Sequence, residues 1–270
     1  MTPSQNNPIG VIDSGVGGIS VLKYIRGHLP HENLIYVADS KFAPYGEKSS
    51  EEITVRVLTV FDFLNKQEVK SVVVACNTAT AASIQIVREK FDYPIIGMEP
   101  AVKPASLMSK NKVVGVLATA GTLLSAKFSA LLEHHGNDIH FITQPCSGLV
   151  ELVEQGDTES PELIALLKKY IDPLLKEEID TLVLGCTHYS FLKTAIKKLM
   201  PEYIKIVDTG DAVSNYLKNV LIEKNMLNQN AKPGTTDFWT NSVDQNADKV
   251  ISKLWGDNSK SFNFKGLWII

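Results

Sequence analysis

Long apolar runs are missing from this chain. No stretch approaches the ~18 residues needed to cross a bilayer, which argues against a helical membrane anchor. Basic charge is not in surplus: 27 Lys and Arg against 30 Asp and Glu leave a net charge of −3, with no Lys/Arg cluster, so no nucleic-acid partner is expected. Cysteine is scarce, three in 270 residues, and the odd count fits free thiols in a reducing compartment better than a disulfide framework. None of the three stands in Cys-x₂-Cys or Cys/His spacing, so no metal site is expected. The first eight residues are polar and uncharged, unlike an export signal, and the protein reads as cytoplasmic. What remains is an ordinary globular composition, 44% hydrophobic and 21% charged, able to bury one large core or two modest ones.

Strand-like aliphatic runs alternate with amphipathic helices, the pattern of an α/β fold. Ile9 to Ile12, Leu34 to Ala38, Val72 to Val74 and Pro94 to Met98 read as strands in the first half. Ser49 and Glu52 form a capping box ahead of Ile53, Val57, Phe61 and Leu64 at helical spacing. The second half repeats the scheme with Val113 to Ala118, Ile139 to Thr143, Leu182 to Leu184 and Ile204 to Val207. Ser160 and Pro161 open a helix towards Leu175 that Pro173 should disturb. The tail holds a helix from Ala212 to about Met226, a strand near Phe238 to Thr240 and another from Phe262 to Ile270, and most simply returns to the first unit.

Two of the cysteines close matching runs: Val72-Val73-Val74-Ala75-Cys76-Asn77-Thr78 and Leu182-Val183-Leu184-Gly185-Cys186-Thr187-His188. In a parallel α/β sheet both thiols then lie at strand carboxyl ends, where ligands bind. Cys76 follows Asp13 by about the interval at which Cys186 follows Thr119, and Glu99 and Asp208 trail their cysteines alike. We read this as an internal duplication, with residues 1–98 and 210–270 in one unit and 99–209 in the other. A helix start beside each cysteine favours thiolate over thiol. Cys146, in the loop-like Pro145-Cys146-Ser147-Gly148, reads as a packing residue.

Around the two cysteines, Ser14, Tyr45, Gly46, Asn77, Thr78, Thr80, Thr119, Thr122, Thr187 and Ser190 supply hydroxyls, amides and turns, each separately explicable as a cap or turn residue. Together they make a site poor in Lys and Arg that can hold carboxylates. Asp13 and His188 are the titratable neighbours, and His188 can relay a proton. Glu151 and Glu154 read as solvent-facing. The run Asp13-Ser14-Gly15-Val16-Gly17-Gly18 invites a dinucleotide reading, but Ser20 stands where the third glycine belongs and Asp13 would repel a pyrophosphate.

These stretches, with Asp39, Pro44-Tyr45-Gly46, Ala79-Thr80, Leu152-Val153-Glu154 and Tyr189, resemble the cofactor-independent aspartate/glutamate racemases from about Ile9 to Ser214. The resemblance implies two flavodoxin-like parallel-sheet domains related by a pseudo-two-fold axis, with the active site in the cleft between them and the C-terminal segment returned to the first. It implies L/D-glutamate interconversion without a cofactor, supplying peptidoglycan synthesis, by a homodimer. Cys76 and Cys186 match the family's two catalytic acid/bases. Asp13, His188 and Glu154 match its assisting positions, with Glu151 an alternative to Glu154. The substrate-binding set is Asp13, Ser14, Pro44, Tyr45, Gly46, Cys76, Asn77, Thr78, Cys186, Thr187 and His188, joined by Thr119 and Thr122 at the equivalent strand end. The competing expectations are the same chemistry on aspartate or another acidic substrate, and a non-catalytic ligand-binding module.

Overall fold

The computed structural model describes residues 4–135, 138–242, 244, 246–256 and 262–267. The chain opens with β1 (Ile9–Asp13), α1 (Ile19–His28), β2 (Leu34–Ala38), α2 (Ser50–Lys66), β3 (Ser71–Val74), α3 (Asn77–Lys90) and β4 (Ile95–Ile96). Next come α4 (Val102–Met108), β5 (Val113–Ala118), α5 (Ala120–Leu123), α6 (Ala126–His135), β6 (His140–Pro145), α7 (Leu149–Glu154), α8 (Pro161–Lys176), β7 (Thr181–Leu184), α9 (Lys193–Leu199) and β8 (Lys205–Val207). The last elements are α10 (Gly210–Glu223), β9 (Thr236–Thr240), α11 (Ala247–Trp255) and β10 (Phe262–Leu267).

The strands form two parallel sheets, β10-β9-β2-β1-β3-β4 and β6-β5-β7-β8. In both, the second strand of the unit lies outside the first, and the third and fourth follow on the other side (β2-β1-β3-β4, then β6-β5-β7-β8). That shared order is the flavodoxin-like one. The strand exits match as well. Ala75 N–H donates to Ile12 O at 2.7 Å, and Gly185 N–H donates to Leu117 O at 2.7 Å. β1, β2, β3 and β7 are buried along their full length, which is why they read as unbroken aliphatic runs rather than alternating ones.

The local signals set the helices. Ser49 Oγ accepts from Glu52 N–H at 3.2 Å while Glu52 Oε2 accepts from Ser49 N–H at 3.0 Å, completing the capping box. Ser160 caps α8 and Pro161 occupies its first turn, but α8 runs on through Pro173 to Lys176. In the tail, β9 pairs with β2, and Phe238 packs on Tyr36 and Trp255. A buried ion pair between Lys70 and Glu32 (2.5 Å) braces the tail, because Asn228 N–H also donates to Glu32 Oε1 at 2.8 Å.

Some elements differ from expectation. The strand expected over Pro94 to Met98 is only Ile95–Ile96, and α4 and α11 appear where none was anticipated. The helix expected straight after Cys186 begins as a 3₁₀ turn over Thr187–Leu192, with α9 starting at Lys193. Of the strand placed over Phe262 to Ile270, Phe262–Leu267 is present, and Trp268, Ile269 and Ile270 lie outside the described residues. Among the described residues no helix is long and apolar enough to cross a membrane.

Candidate active site

Both cysteines leave their strands in nearly the same extended conformation, φ −145° and ψ 121° at Cys76, φ −142° and ψ 135° at Cys186. Their surroundings then diverge. Cys76 caps α3: its Sγ accepts from Ala79 N–H at 3.4 Å and approaches Ser14 Oγ at 3.9 Å. Cys186 makes no cap bond to its 3₁₀ turn, and its Sγ lies 3.7 Å from His188 Nδ1.

One small cavity, with about 280 Å³ of empty space, joins the two. The first unit lines it with Ser14, Pro44, Tyr45, Gly46, Cys76, Asn77 and Thr78. The second lines it with Thr119, Val150, Gly185, Cys186, Thr187 and His188. Both cysteines therefore border one small cavity from the ends of two different sheets. Asn77 adds a polar demand, because both its carboxamide atoms are buried and unpartnered, an arrangement that costs free energy until a ligand meets it. The hydroxyls of Thr78, Thr119 and Thr122 close a triangle across the two units, at 2.9, 3.0 and 3.0 Å.

The Gly-rich turn is now explained. A Cβ on Gly15 would lie 1.8 Å from Glu154 Oε1, and one on Gly17 would lie 2.2 Å from His188 Nδ1. The glycines make room for side chains of the second unit, which replaces the dinucleotide reading. Glu154 Oε1 accepts from Val16 N–H at 2.7 Å and pairs with His188 Nε2 at 2.6 Å, while Ser40 Oγ donates to Oε2 at 3.1 Å. Asp13 Oδ2 accepts from Gly18 N–H at 2.8 Å and from Gly15 N–H at 3.4 Å, and its Oδ1 is buried without a partner.

Charge follows from this packing. Burial raises Asp13 from the ordinary 3.8 to about 6, against the pull of the His188 charge and the Gly18 N–H. Burial would lower His188, but hydrogen bonds to Cys186 and Glu154 outweigh it and hold the imidazole well above its ordinary value. At Cys76 burial, reinforced by the Asp13 charge, pushes the thiol far up, and Ala79 N–H offsets this only in part. The expectation that a helix start would favour thiolate at Cys76 is not met: desolvation exceeds the helix-terminus effect.

Most expected site residues converge on the cavity, and the others stand just behind it. Asp13 is turned back onto the Gly15–Gly18 turn, and Thr122 sits behind Thr78 and Thr119. Glu154 is not solvent-facing, because it lies one helical turn after Val150 and reaches the same side. That i, i+4 spacing from an apolar residue was the available signal. Glu151 instead borders an adjoining cavity with Cys146, Ser147 and Val150. Cys146 is buried with its Sγ on Gln144 O at 3.3 Å, in keeping with a packing role. Thr80 bonds backbone at Val74 and Met98, and Ser190 bonds Asp208, so neither lines the cavity. Asp208 pairs with Lys193 at 2.7 Å, and Glu99 is exposed, so the acidic strand ends lie outside the site. Ser40, Val150 and Tyr36, whose hydroxyl donates to Gly15 O at 2.6 Å, were not anticipated.

Two parallel α/β units each contribute one cysteine to a shared, hydroxyl-rich cavity. The family model described as Asp/Glu/Hydantoin racemase matches residues 19–217. A glutamate racemase of Pseudomonas syringae pv. tomato is 46% identical over 265 residues, 97% of this chain and 96% of that protein. Among solved structures, a glutamate racemase isoform from Bacillus anthracis superimposes with a TM-score of 0.87 at 31% identity, covering 98% of each chain. The Francisella tularensis glutamate racemase, solved with D-glutamate, gives 0.83 at 30% identity, covering 96% of this chain and 97% of that one. This chain belongs to the Asp/Glu/Hydantoin racemase family.

Proposed function

We propose that this chain interconverts L- and D-glutamate by moving the α-proton between Cys76 and Cys186. The observation that carries the reading is the single cavity lined by both sulfurs from opposite sheets. Full-length similarity to glutamate racemases, one of them solved with D-glutamate, supports glutamate over aspartate. The unpartnered Asn77 carboxamide and the threonine triangle are suitable donors for the substrate's carboxylates.

An α-proton is weakly acidic, so its removal relies on placement and on a preorganised polar surround. In one direction the Cys186 thiolate removes the proton from one face of Cα while the Cys76 thiol protonates the other. The products are the opposite enantiomer, a Cys186 thiol and a Cys76 thiolate, and the reverse reaction exchanges the roles. Asp13, charged next to Cys76, serves that sulfur, and His188, held by Glu154, serves Cys186. Closure of the cavity around the substrate excludes water from both transfers. On the same reading, residues 1–98 with 210–270 form one domain and 99–209 the other, related by a pseudo-two-fold axis. The protein acts as a cytosolic homodimer supplying peptidoglycan synthesis.

Turnover in heavy water is the test. Product enantiomer should carry solvent deuterium at Cα from the first turnover; unlabelled product removes the proton-exchange scheme.

A further inference from the structure

Behind the cavity lies a polar cluster that reaches its lining through Tyr45. Asp39, the residue after β2, has a fully enclosed carboxylate. Its Oδ2 accepts from Tyr45 Oη–H at 2.5 Å and from Arg56 Nε–H at 2.9 Å. Its Oδ1 accepts from Arg56 Nη2 at 2.8 Å and from Asn241 Nδ2 at 2.5 Å. The Arg56 guanidinium, from α2, also lies 3.8 Å over the Phe42 ring. Asn241 follows β9 in the returning tail, and its Oδ1 accepts from Lys41 N–H at 2.9 Å.

Tyr45, Arg56 and the remote Asn241 thus hold one carboxylate, and the loop that leaves it carries Pro44, Tyr45 and Gly46 into the cavity wall. That wall has little slack: a Cβ on Gly46 would lie 2.6 Å from Thr119 Cβ, and one on Gly121 would lie 2.9 Å from Gly46 O. A bidentate Arg–carboxylate pair fixes direction as well as distance, so the Asp39 position is transmitted to the Tyr45 hydroxyl and on to Gly46.

We propose that Arg56 and Asn241 are positioning residues for substrate binding: through Asp39 and Tyr45 they set where Pro44–Gly46 meets the substrate. The inference rests on the glutamate reading of the cavity. Neither side chain lines the cavity, so they act on affinity rather than on the proton transfers.

The test is steady-state racemisation of D- and L-glutamate by Asn241→Ala, Arg56→Lys and Arg56→Met, with melting curves alongside. Asn241→Ala keeps the Arg56–Asp39 pair and is the variant least able to unfold the chain. Its KM should rise about fivefold or more, with kcat within about twofold of wild type. Arg56→Met should raise KM further, and Arg56→Lys, which keeps the charge but loses the fork, should fall between it and wild type. A lowered melting temperature with KM within about twofold of wild type for Asn241→Ala overturns the proposal, as does a kcat that falls by as much as KM rises. A wild-type chain that racemises neither enantiomer overturns the reading of the cavity instead.

Discussion

The carboxyl group of Asp13 is fully enclosed, and burial raises it from 3.8 to about 6, so its charge is held against desolvation at neutral pH. A folded-state value above the unfolded one means that the native chain binds more protons between these limits. Stability on this account is full below about pH 4, falls as pH rises through 4 to 6, and is lowest above that. A rise from 3.8 to about 6 corresponds to about 3 kcal/mol at 1.36 kcal/mol for each tenfold. Asp13→Asn removes the titration while leaving an oxygen for the Gly18 N–H. The amide's own packing cost is a constant offset, so the informative quantity is how the difference between the two proteins changes with pH. Between pH 5 and 8 that difference should move in favour of the variant by about 1.4 kcal/mol, or roughly 3–5 °C in Tm. Racemisation should meanwhile fall by roughly 10²-fold, since the charge beside Cys76 is lost. Melting curves of both proteins at pH 5, 6, 7 and 8 decide it. Parallel curves across that range would refute the claim that a buried, titrating carboxylate sits behind Cys76.

The remaining expectations concern the sulfurs and the glycine turn. Cys76→Ser and Cys186→Ser should each abolish racemisation, whereas Cys146→Ser, altering a buried thiol bonded to Gln144 O, should retain most of it; chiral chromatography of the product reads both outcomes. Gly17→Ala would place a methyl 2.2 Å from His188 Nδ1 and should lower kcat by an order of magnitude or more, to be measured in the same assay.

Much of the fold was readable because its causes are local. β2 and β5 coincide with their aliphatic runs, and the Ser49 and Ser160 caps start α2 and α8 where the side chains dictate. What escaped was short or depended on neighbours. α4 is only seven residues long and contains Pro104, so it had little periodic signal to give. α11 does carry one, Val250, Ile251, Leu254 and Trp255 at helical spacing. The 3₁₀ turn after Cys186 depends on packing: Thr187, His188, Tyr189 and Leu192 are all buried, and the Tyr189 hydroxyl donates to Cys146 O at 2.9 Å.

The sequence by itself determined the two-fold repeat of strand, small residue and cysteine, and with it the sheet ends at which both sulfurs lie, because strand pattern and helix caps act over a few residues. Only the tertiary structure decided the rest. It chose Glu154 over Glu151 as the partner of His188, turned Asp13 inward behind Cys76, and brought Asn241 from the far end of the chain onto Asp39. Those choices depend on distances between residues remote in sequence and on how much water is excluded around them, and no local pattern encodes either quantity.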